Sequence, residues 1–574
     1  MRRLFSYLKP YRTAAIAAPL LMLLEVAADL IQPKMMAGIV DIGIANRDLA
    51  YVYRTGAGMI GIALIGLIGG TGATIFSCTV AANYGKDLRG GLFEKVQSFS
   101  FAELDRFKTA SLITRLTNDV TQIQHIVMLS LRMLVRAPLL AVGGVMMALS
   151  INAGLASVLL ISLPLLGVAL TLIMSNSFPM FTVVQKRIDK LNGVMRENLT
   201  GARVVRAFVR SGYEKDRFGK ANEGLSKASL RAVRTVNLTA PAMMAALNIS
   251  LVAVLWFGGI KVDFGTMSVG EVMAFVNYIT QILMALQMVA FLTVNISRAK
   301  ASSERLAEVL DAESSITGPA APEGAPGEGK VEFRNVSFCY EGASGDPVLK
   351  NVDVTAFPGR TLAILGATGS GKSTLVNLIP RFFDPTEGTV LVDGTDVRDM
   401  DLAGLRASVG MVLQDPVLFT GTIRDNIMWG KADATDEEVT EAAKAAQAHD
   451  FITSLPEGYD TVVGQKGANL SGGQKQRLAI ARALVRKPRV LVLDDSTSAI
   501  DMGTEERLQA ALKEYMRGRT TIVIAQRISS VMDADEIIVL EDGEVVARGT
   551  HHQLVEGSEI YRDIVRSQLG AEVV

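Results

Sequence analysis

The sequence predicts a chain in two parts, a membrane α-helical half with six spans and long cytoplasmic helical extensions, followed by a soluble α/β half. Three observations predict it. Hydrophobic residues make up 49% of the 574 residues while 20% are still charged, and the mean hydropathy is +0.30, a combination that fits one part in lipid and another in water. Between Arg12 and Arg298 the charges fall in bunches separated by uncharged stretches long enough to span. From Lys330 onward short β-rich runs alternate with helical patterns, as a sheet covered by helices requires. At about 100–200 residues per domain the length excludes a single small module. Lys plus Arg number 58 and Asp plus Glu 58, so no bulk charge calls for nucleic acid as a partner. Two distant cysteines, Cys78 and Cys339, indicate no disulfide framework and place the soluble part in a reducing compartment.

Residues 55–85, 235–260 and 272–297 contain no Asp, Glu, Lys or Arg, and each exceeds the roughly 20 residues that cross about 30 Å of hydrocarbon. Residues 137–185 are equally free of charge and too long for one span, so they predict a hairpin of two, with Asn152 and Gly154 as the turn. A further span, roughly 13–39, precedes them. No convincing small-residue cleavage site follows it, which argues against a cleavable signal peptide. Basic residues set the orientation, because Lys and Arg near span ends are retained on the cytoplasmic side. Arg2, Arg3, Lys9 and Arg12 place the N-terminus inside, and the segments Lys86–Arg136 and Lys186–Arg234 are the basic ones among the connections. Both termini are therefore expected in the cytoplasm of a multi-pass protein of the cytoplasmic (inner) membrane. The basic connections mix apolar and charged positions at near-helical spacing, as in Val204-Val205-Arg206-Ala207-Phe208-Val209-Arg210, and read as helical extensions of the spans.

The run Gly318-Pro319-Ala320-Ala321-Pro322-Glu323-Gly324-Ala325-Pro326-Gly327 cannot hold a regular element and marks a linker. The expected division is a membrane domain over 1–311, a linker over 312–330 and a nucleotide-binding domain over 331–574. That last assignment comes from the strand Thr361–Leu365, which leads directly into Gly366-Ala367-Thr368-Gly369-Ser370-Gly371-Lys372-Ser373, a complete G-x-x-x-x-G-K-S phosphate loop. Its glycines let backbone N–H groups converge on phosphates, Lys372 reaches the terminal phosphates, and Ser373 can ligate Mg²⁺. A second strand, Val490–Leu493, ends in Asp494, where the Mg²⁺-organising carboxylate of a P-loop enzyme belongs.

Between the two lies Leu470-Ser471-Gly472-Gly473-Gln474-Lys475-Gln476-Arg477, which resembles the signature sequence of ATP-binding-cassette proteins. With six spans ahead of it, the whole chain resembles a half-transporter of the exporter type. The resemblance implies that Tyr340 stacks on adenine, that Gly366, Thr368, Gly369, Ser370, Gly371, Lys372, Ser373 and Thr374 hold the phosphates of ATP, and that Ser373, Gln414 and Asp494 organise Mg²⁺. It also implies a second subunit, because each ATP lies between the phosphate loop of one chain and Ser471, Gly472, Gly473 and Gln474 of the other. Ser498-Ala499-Ile500-Asp501 matches the D-loop. Coupling helices are expected near Asp105–Leu116 and Arg210–Phe218.

Two positions depart from that pattern. Asp495 stands where the family usually has the Glu that polarises the attacking water, and a carboxylate retracted by one methylene implies slow hydrolysis. Gln526 stands where the family usually has a γ-phosphate-contacting His; it can hydrogen-bond but cannot become cationic. Together with Gln414 these are the candidate hydrolysis residues. A softer departure is Gln465, where exporters often have Glu. The pattern resembles the degenerate-site subunit of a heterodimeric multidrug exporter, with a different chain as partner; a homodimeric lipid or drug exporter and a regulatory ATP-gated membrane protein are the alternatives. A soluble ATPase of DNA maintenance is excluded by the spans. The expected substrate is an amphiphilic small molecule. Glu25 and Asp29, four apart on the first span, either attract cationic amphiphiles or are solvated or neutralised nearby. Met243, Met244, Met273, Met284, Met288, Phe275 and Phe291 either line an apolar pocket or pack helices together.

Overall fold

The computed structural model describes residues 2–319, 321–324, 327–340 and 345–569. The chain divides into two compact units, Met1–Gln97 with Ala110–Ala312, and Ser98–Thr109 with Glu313–Val574. Of the linker run, residues 320, 325 and 326 lie outside the described residues; no helix or strand is assigned between Asp311 and Val331 among the described ones.

The first unit is helical. Its elements begin with α1 (Arg2–Ser6), α2 (Arg12–Gly38) and α3 (Leu49–Gln97). After α4 (Phe101–Phe107), which belongs to the second unit, come α5 (Thr109–Thr114), α6 (Val120–Ile151) and α7 (Ala153–Thr200). The unit closes with α8 (Ala202–Ala207), α9 (Ser211–Asn237), α10 (Thr239–Asp263) and α11 (Val269–Asp311). Among the described residues, six helical runs are long and apolar enough to cross a membrane: Arg3–Ile44, Leu49–Gln97, Thr109–Ile151, Ala153–Thr200, Ser211–Asp263 and Val269–Val289. The predicted hairpin turns where expected: Asn152 leaves the helical region at φ −155°, and its side chain accepts the Leu155 N–H at 3.0 Å to cap α7. Gly154 already lies in the first turn of that helix.

Short helices stand in the long connections at Phe101–Phe107, Thr109–Thr114 and Ala202–Ala207; the first two overlap the expected stretch Asp105–Leu116, while Arg210–Phe218 falls on the N-cap and first turns of α9. Local chemistry decides this. Ser100 and Glu103 form a capping box that starts α4, and Lys108 at φ 56° ends it. Val209 at φ 55° breaks the chain after α8, so Arg210 becomes the N-cap of the long α9.

In the membrane unit, Met22, Val26, Ala73, Leu140 and Ala285 form one buried cluster of α2, α3, α6 and α11. Ala148, Leu155, Leu159, Val254, Phe275 and Ile279 belong to a second, formed by α6, α7, α10 and α11. α11 contributes to both. The candidate methionine and aromatic pocket is divided: Phe275 and Met243 are buried in the packing core, whereas Met244, Met273, Met284 and Phe291 are exposed on the unit's surface. Polar bonds add what apolar packing in lipid does not supply. Asp41 accepts from the Gly270 N–H at 2.7 Å and the Ser268 hydroxyl at 2.5 Å at the start of α11. Tyr278 donates to the Leu30 carbonyl at 2.7 Å, and the Gln281 amide to the Asp29 carbonyl at 3.1 Å.

Glu25 and Asp29 are neutralised within the unit. Arg136 of α6 forks between them, one guanidinium nitrogen on Glu25 and the other on Asp29 Oδ2 at 3.0 Å. Breaking such a pair leaves uncompensated charge in a poorly solvated place. Arg136→Met is expected to cost about 3 kcal/mol and to lower the melting temperature of the purified protein. Adding Glu25→Gln and Asp29→Asn to it should restore most of the loss, and no recovery would show that the guanidinium acts through packing instead.

The second unit is α/β. Its strands are β1 (Val331–Phe338), β2 (Leu349–Ala356), β3 (Thr361–Leu365), β4 (Glu387–Val392), β5 (Thr395–Asp396) and β6 (Val409–Val412). They continue with β7 (Gly421–Thr422), β8 (Val462–Val463), β9 (Val490–Asp494), β10 (Thr520–Ile524), β11 (Glu536–Glu541) and β12 (Glu544–Gly549). The expected parallel sheet is present in the order β12-β11-β3-β10-β9-β6, but β12 returns antiparallel and a second sheet, β2-β1-β4-β5, is antiparallel throughout. Burial explains the difference. β9 is buried at all five positions, as a strand covered on both faces must be, whereas β2 alternates through Lys350, Asn351 and Asp353. One apolar cluster joins the two sheets, with Val336, Val352 and Val390 from one and Ile364, Val492 and Ile522 from the other.

Candidate nucleotide site

The site is built by three adjacent parallel strands that end together. β10 pairs with β3 through Ile524 and Ile364, and with β9 through Ile524 and Asp494. Their C-terminal ends therefore deliver the phosphate loop, Asp494 with Asp495, and Gln526 to one edge of the sheet, where ligands of α/β sheets bind. The cleft there, about 330 Å³, is lined by Thr368, Gly369, Gly371, Lys372, Ser373, Thr374, Gln414, Asp494, Asp495 and Gln526 together with Val348 and Ile524.

The loop runs from β3 into α12 (Lys372–Asn377), and Gly371 caps that helix at φ 98°. A side chain at Gly371 would be strained there, and its Cβ would lie 2.8 Å from the Val348 carbonyl. Lys372 curls back into the loop, donating to the Gly366 and Ala367 carbonyls at 2.9 and 2.7 Å. Ser370 Oγ is buried with no partner among the described residues, and it lies 2.7 Å from where a Gly366 Cβ would be. A donor left over inside a ring of amides suits a phosphate oxygen. No group of three or more His, Cys, Asp or Glu able to hold a metal occurs among the described residues. Ser373 and Asp494, which hydrogen-bond to each other, are the residues that would hold Mg²⁺ beside the phosphates.

Asp495 follows β9 in a left-handed conformation, φ 45°, fixed by its own N–H on the Ile524 carbonyl at 2.9 Å. Two amides meet its Oδ2, that of Gln526 at 2.9 Å and that of Gln414 at 3.4 Å. Burial pushes the Asp494 carboxyl above its ordinary 3.8, against the Ser373 hydrogen bond and the Lys372 charge. Burial also raises Asp495, with the Asp494 charge adding to it and the Gln414 bond opposing it. Lys372 is lowered by burial, against the attraction of both carboxylates.

Tyr340 lies beside this cleft rather than in its lining. Its hydroxyl meets Thr374 Oγ1 at 3.0 Å, and its ring stands edge-on to Phe338 and Phe383, with centroids 4.8 and 5.4 Å away. Phe383 in turn lies 6.1 Å from Phe101 of α4, a residue that motif reading did not single out. Ser471, Gly472, Gly473 and Gln474 are absent from the cleft lining. They form the start of α17, introduced by α13 (Leu402–Ser408), α14 (Ile423–Met428), α15 (Asp436–Ala445) and α16 (His449–Ser454), with α17 itself at Gly472–Leu484. Ser471 caps it in a capping box with Gln474, at a helix N-terminus of the kind that suits an anion. Gly473 is required by approach: a Cβ there would lie 2.8 Å from the Ala499 carbonyl. Gln476 fastens the same loop, accepting the Ala499 N–H at 3.1 Å. Gln465 is exposed in a tight turn.

The raised carboxyls carry a sign. A carboxyl whose folded value exceeds its unfolded value destabilises the fold when ionised, so the penalty holds above the raised value and is relieved as pH falls through it toward 3.8. Asp495→Asn should therefore raise the melting temperature of the nucleotide-free protein at neutral pH and flatten its rise on acidification. A melting temperature that falls at pH 7 would contradict this.

Comparison with known proteins agrees with this architecture. The ABC transporter transmembrane region matches residues 15–286, and the ABC transporter family matches residues 349–498. The chain is 44% identical to an uncharacterized ABC transporter ATP-binding protein, YfiB, of Bacillus subtilis, over 100% of this chain and 99% of that one. It is 37% identical to an ATP-dependent lipid A-core flippase of Syntrophus aciditrophicus, over 86% and 83%. Among solved structures, a bacterial Atm1-family ABC exporter with ATP bound matches with a TM-score of 0.80 and 26% identity, over 97% of this chain and 98% of that one. Phosphate loop, signature helix and six apolar helices thus meet in one chain, which belongs to the ABC transporter family and has the exporter fold.

Proposed function

We propose that the chain is one half of a heterodimeric exporter that moves amphiphilic compounds, lipids among them, out of the cytoplasm, and that its own phosphate loop builds the weaker of two ATP sites. The observation that carries this reading is the carboxylate of Asp495, short by one methylene and met by the amides of Gln526 and Gln414. A base for water needs a free lone pair and a neighbour able to share charge, and a neutral amide can hydrogen-bond but cannot take up or release a proton near neutral pH. In this site Lys372, Ser370 and the loop amides bind the phosphates of ATP, and Tyr340 meets the base. Mg²⁺, when bound, neutralises charge on the β- and γ-phosphates. Ser471 and Gly473 face outward to complete the partner's site, where turnover is efficient.

The basic connections support a protein of the cytoplasmic membrane with both termini inside. The similarity to a lipid A-core flippase supports an amphiphile with a large apolar part as cargo. The fork of Arg136 on Glu25 and Asp29 leaves those carboxylates engaged, so substrate attraction is not assigned to them.

ATP hydrolysis in reconstituted membranes tests the reading. The chain alone should turn over ATP about a hundredfold more slowly than the chain with its partner half-transporter. Asp495→Asn should leave the activity of the pair within about threefold, while loss of the partner's own base should abolish it. Full activity of the single chain, lost on Asp495→Asn, would replace the heterodimer with a homodimer in which Asp495 is a working base.

A further inference from the structure

The segment that carries Gln526 is held from outside the nucleotide motifs. It leaves β10 at Ile524 and passes into a turn at Ile528–Ser530. Three later elements of the unit are α18 (Met502–Tyr515), α19 (His551–Gly557) and α20 (Glu559–Leu569). α20 is anchored through Tyr561 and Val565, which are 0% and 1% exposed. Near its end, Gln568 offers both halves of one amide to the segment: Nε2 donates to the Gln526 carbonyl at 2.8 Å, and Oε1 accepts the Ile528 N–H at 2.8 Å. One side chain makes the pair of bonds that a neighbouring parallel strand would make to residues 526 and 528. β10 ends at Ile524, and among the described residues no strand pairs with residues 526–528.

The far end of the segment is tied as well. Ser530 donates to Glu505 Oε1 at 2.5 Å, and the same oxygen accepts from Thr497 at 2.8 Å, in the loop that follows Asp495. Glu505, on α18, is 5% exposed. At the first of these ties the Gln526 side chain reaches Asp495.

We infer that Gln568 is a positioning residue of the nucleotide site, which holds the backbone of residues 526–528 so that the Gln526 amide stays on the Asp495 carboxylate. It acts through Gln526 and touches no substrate. Without it, two backbone groups lose their partners and the segment regains freedom that the site must remove at each binding event. The inference rests on the reading that Asp495 and Gln526 flank the terminal phosphate of ATP in this chain's own loop, and it is independent of whether the partner is a different chain.

The test uses the full-length protein in lipid nanodiscs. Without nucleotide, Gln568→Ala should speed hydrogen exchange at Ile528 about tenfold and leave β3 and β9 unchanged. Gln568→Glu keeps the acceptor for Ile528 and should retain most of that protection, which separates a lost bond from a melted α20. Release of Mg–ATP should quicken about tenfold in Gln568→Ala, but by less than about twofold when Gln526→Ala is already present. Unchanged exchange at Ile528, or an equal acceleration in the Gln526→Ala background, would overturn the inference. Robust turnover by the chain alone would overturn the heterodimer reading and leave this dependence on Gln526 to be read as before.

Discussion

The arrangement depends on the register of three parallel strands. β3, β10 and β9 pair so that Ile364, Ile524 and Asp494 lie abreast, and the phosphate loop, Gln526 and Asp495 are short extensions of these ends. A slip of one residue would carry Asp494 to the other face of the sheet. Continuous burial forbids it: β9 and most of β3 and β10 are apolar and enclosed on both sides, so the ladder has one favourable alignment. The glycine-rich turn is placed by that ladder.

The same burial creates the electrostatic tension at the site. Asp494 and Asp495 are consecutive carboxyls held out of water, and each is raised by that burial, while Lys372 is lowered by it. A nucleotide-free site with two such carboxyls and one lysine is poised to accept groups that spread charge over many donors, which a polyphosphate with its metal does. The amides on Asp495 serve a different purpose: they fix its direction without adding charge.

Much of this was legible in the sequence, and the limits have physical causes. Uncharged stretches revealed the spans because lipid penalises charge at every position of a helix, and Asn152 revealed the hairpin because a cap needs that side chain. The phosphate loop was legible because its glycines answer to backbone geometry alone. The antiparallel sheet was missed because its strands carry bulges and broken alternation, as in the shifts between Phe333 and Val336 of β1. Arg136 was missed as the partner of Glu25 and Asp29 because it lies more than a hundred residues away. Gln568 gave no signal at all: a lone glutamine on an amphipathic helix looks like a solvated surface residue until its backbone partners are known. The ends of the short helices in the connections are set by local features, a capping box and the left-handed residues Lys108 and Val209, which a reading of apolar spacing does not weigh.

The loop from Asp495 to Asp501 has a mechanical consequence. At one end the Ser498 hydroxyl donates to the Asp495 carbonyl at 3.1 Å; at the other, Gly473 and Gln476 press against and bond Ala499 at the start of the signature helix. The start of the signature helix is thereby tied, through Ala499 and Ser498, to the backbone of Asp495 in this chain's own cleft. A displacement of the turn at Ser471–Gly473 therefore reaches the loop behind this chain's own Asp495 through Ala499 and Ser498, so the signature helix and the phosphate cleft share one mechanical linkage.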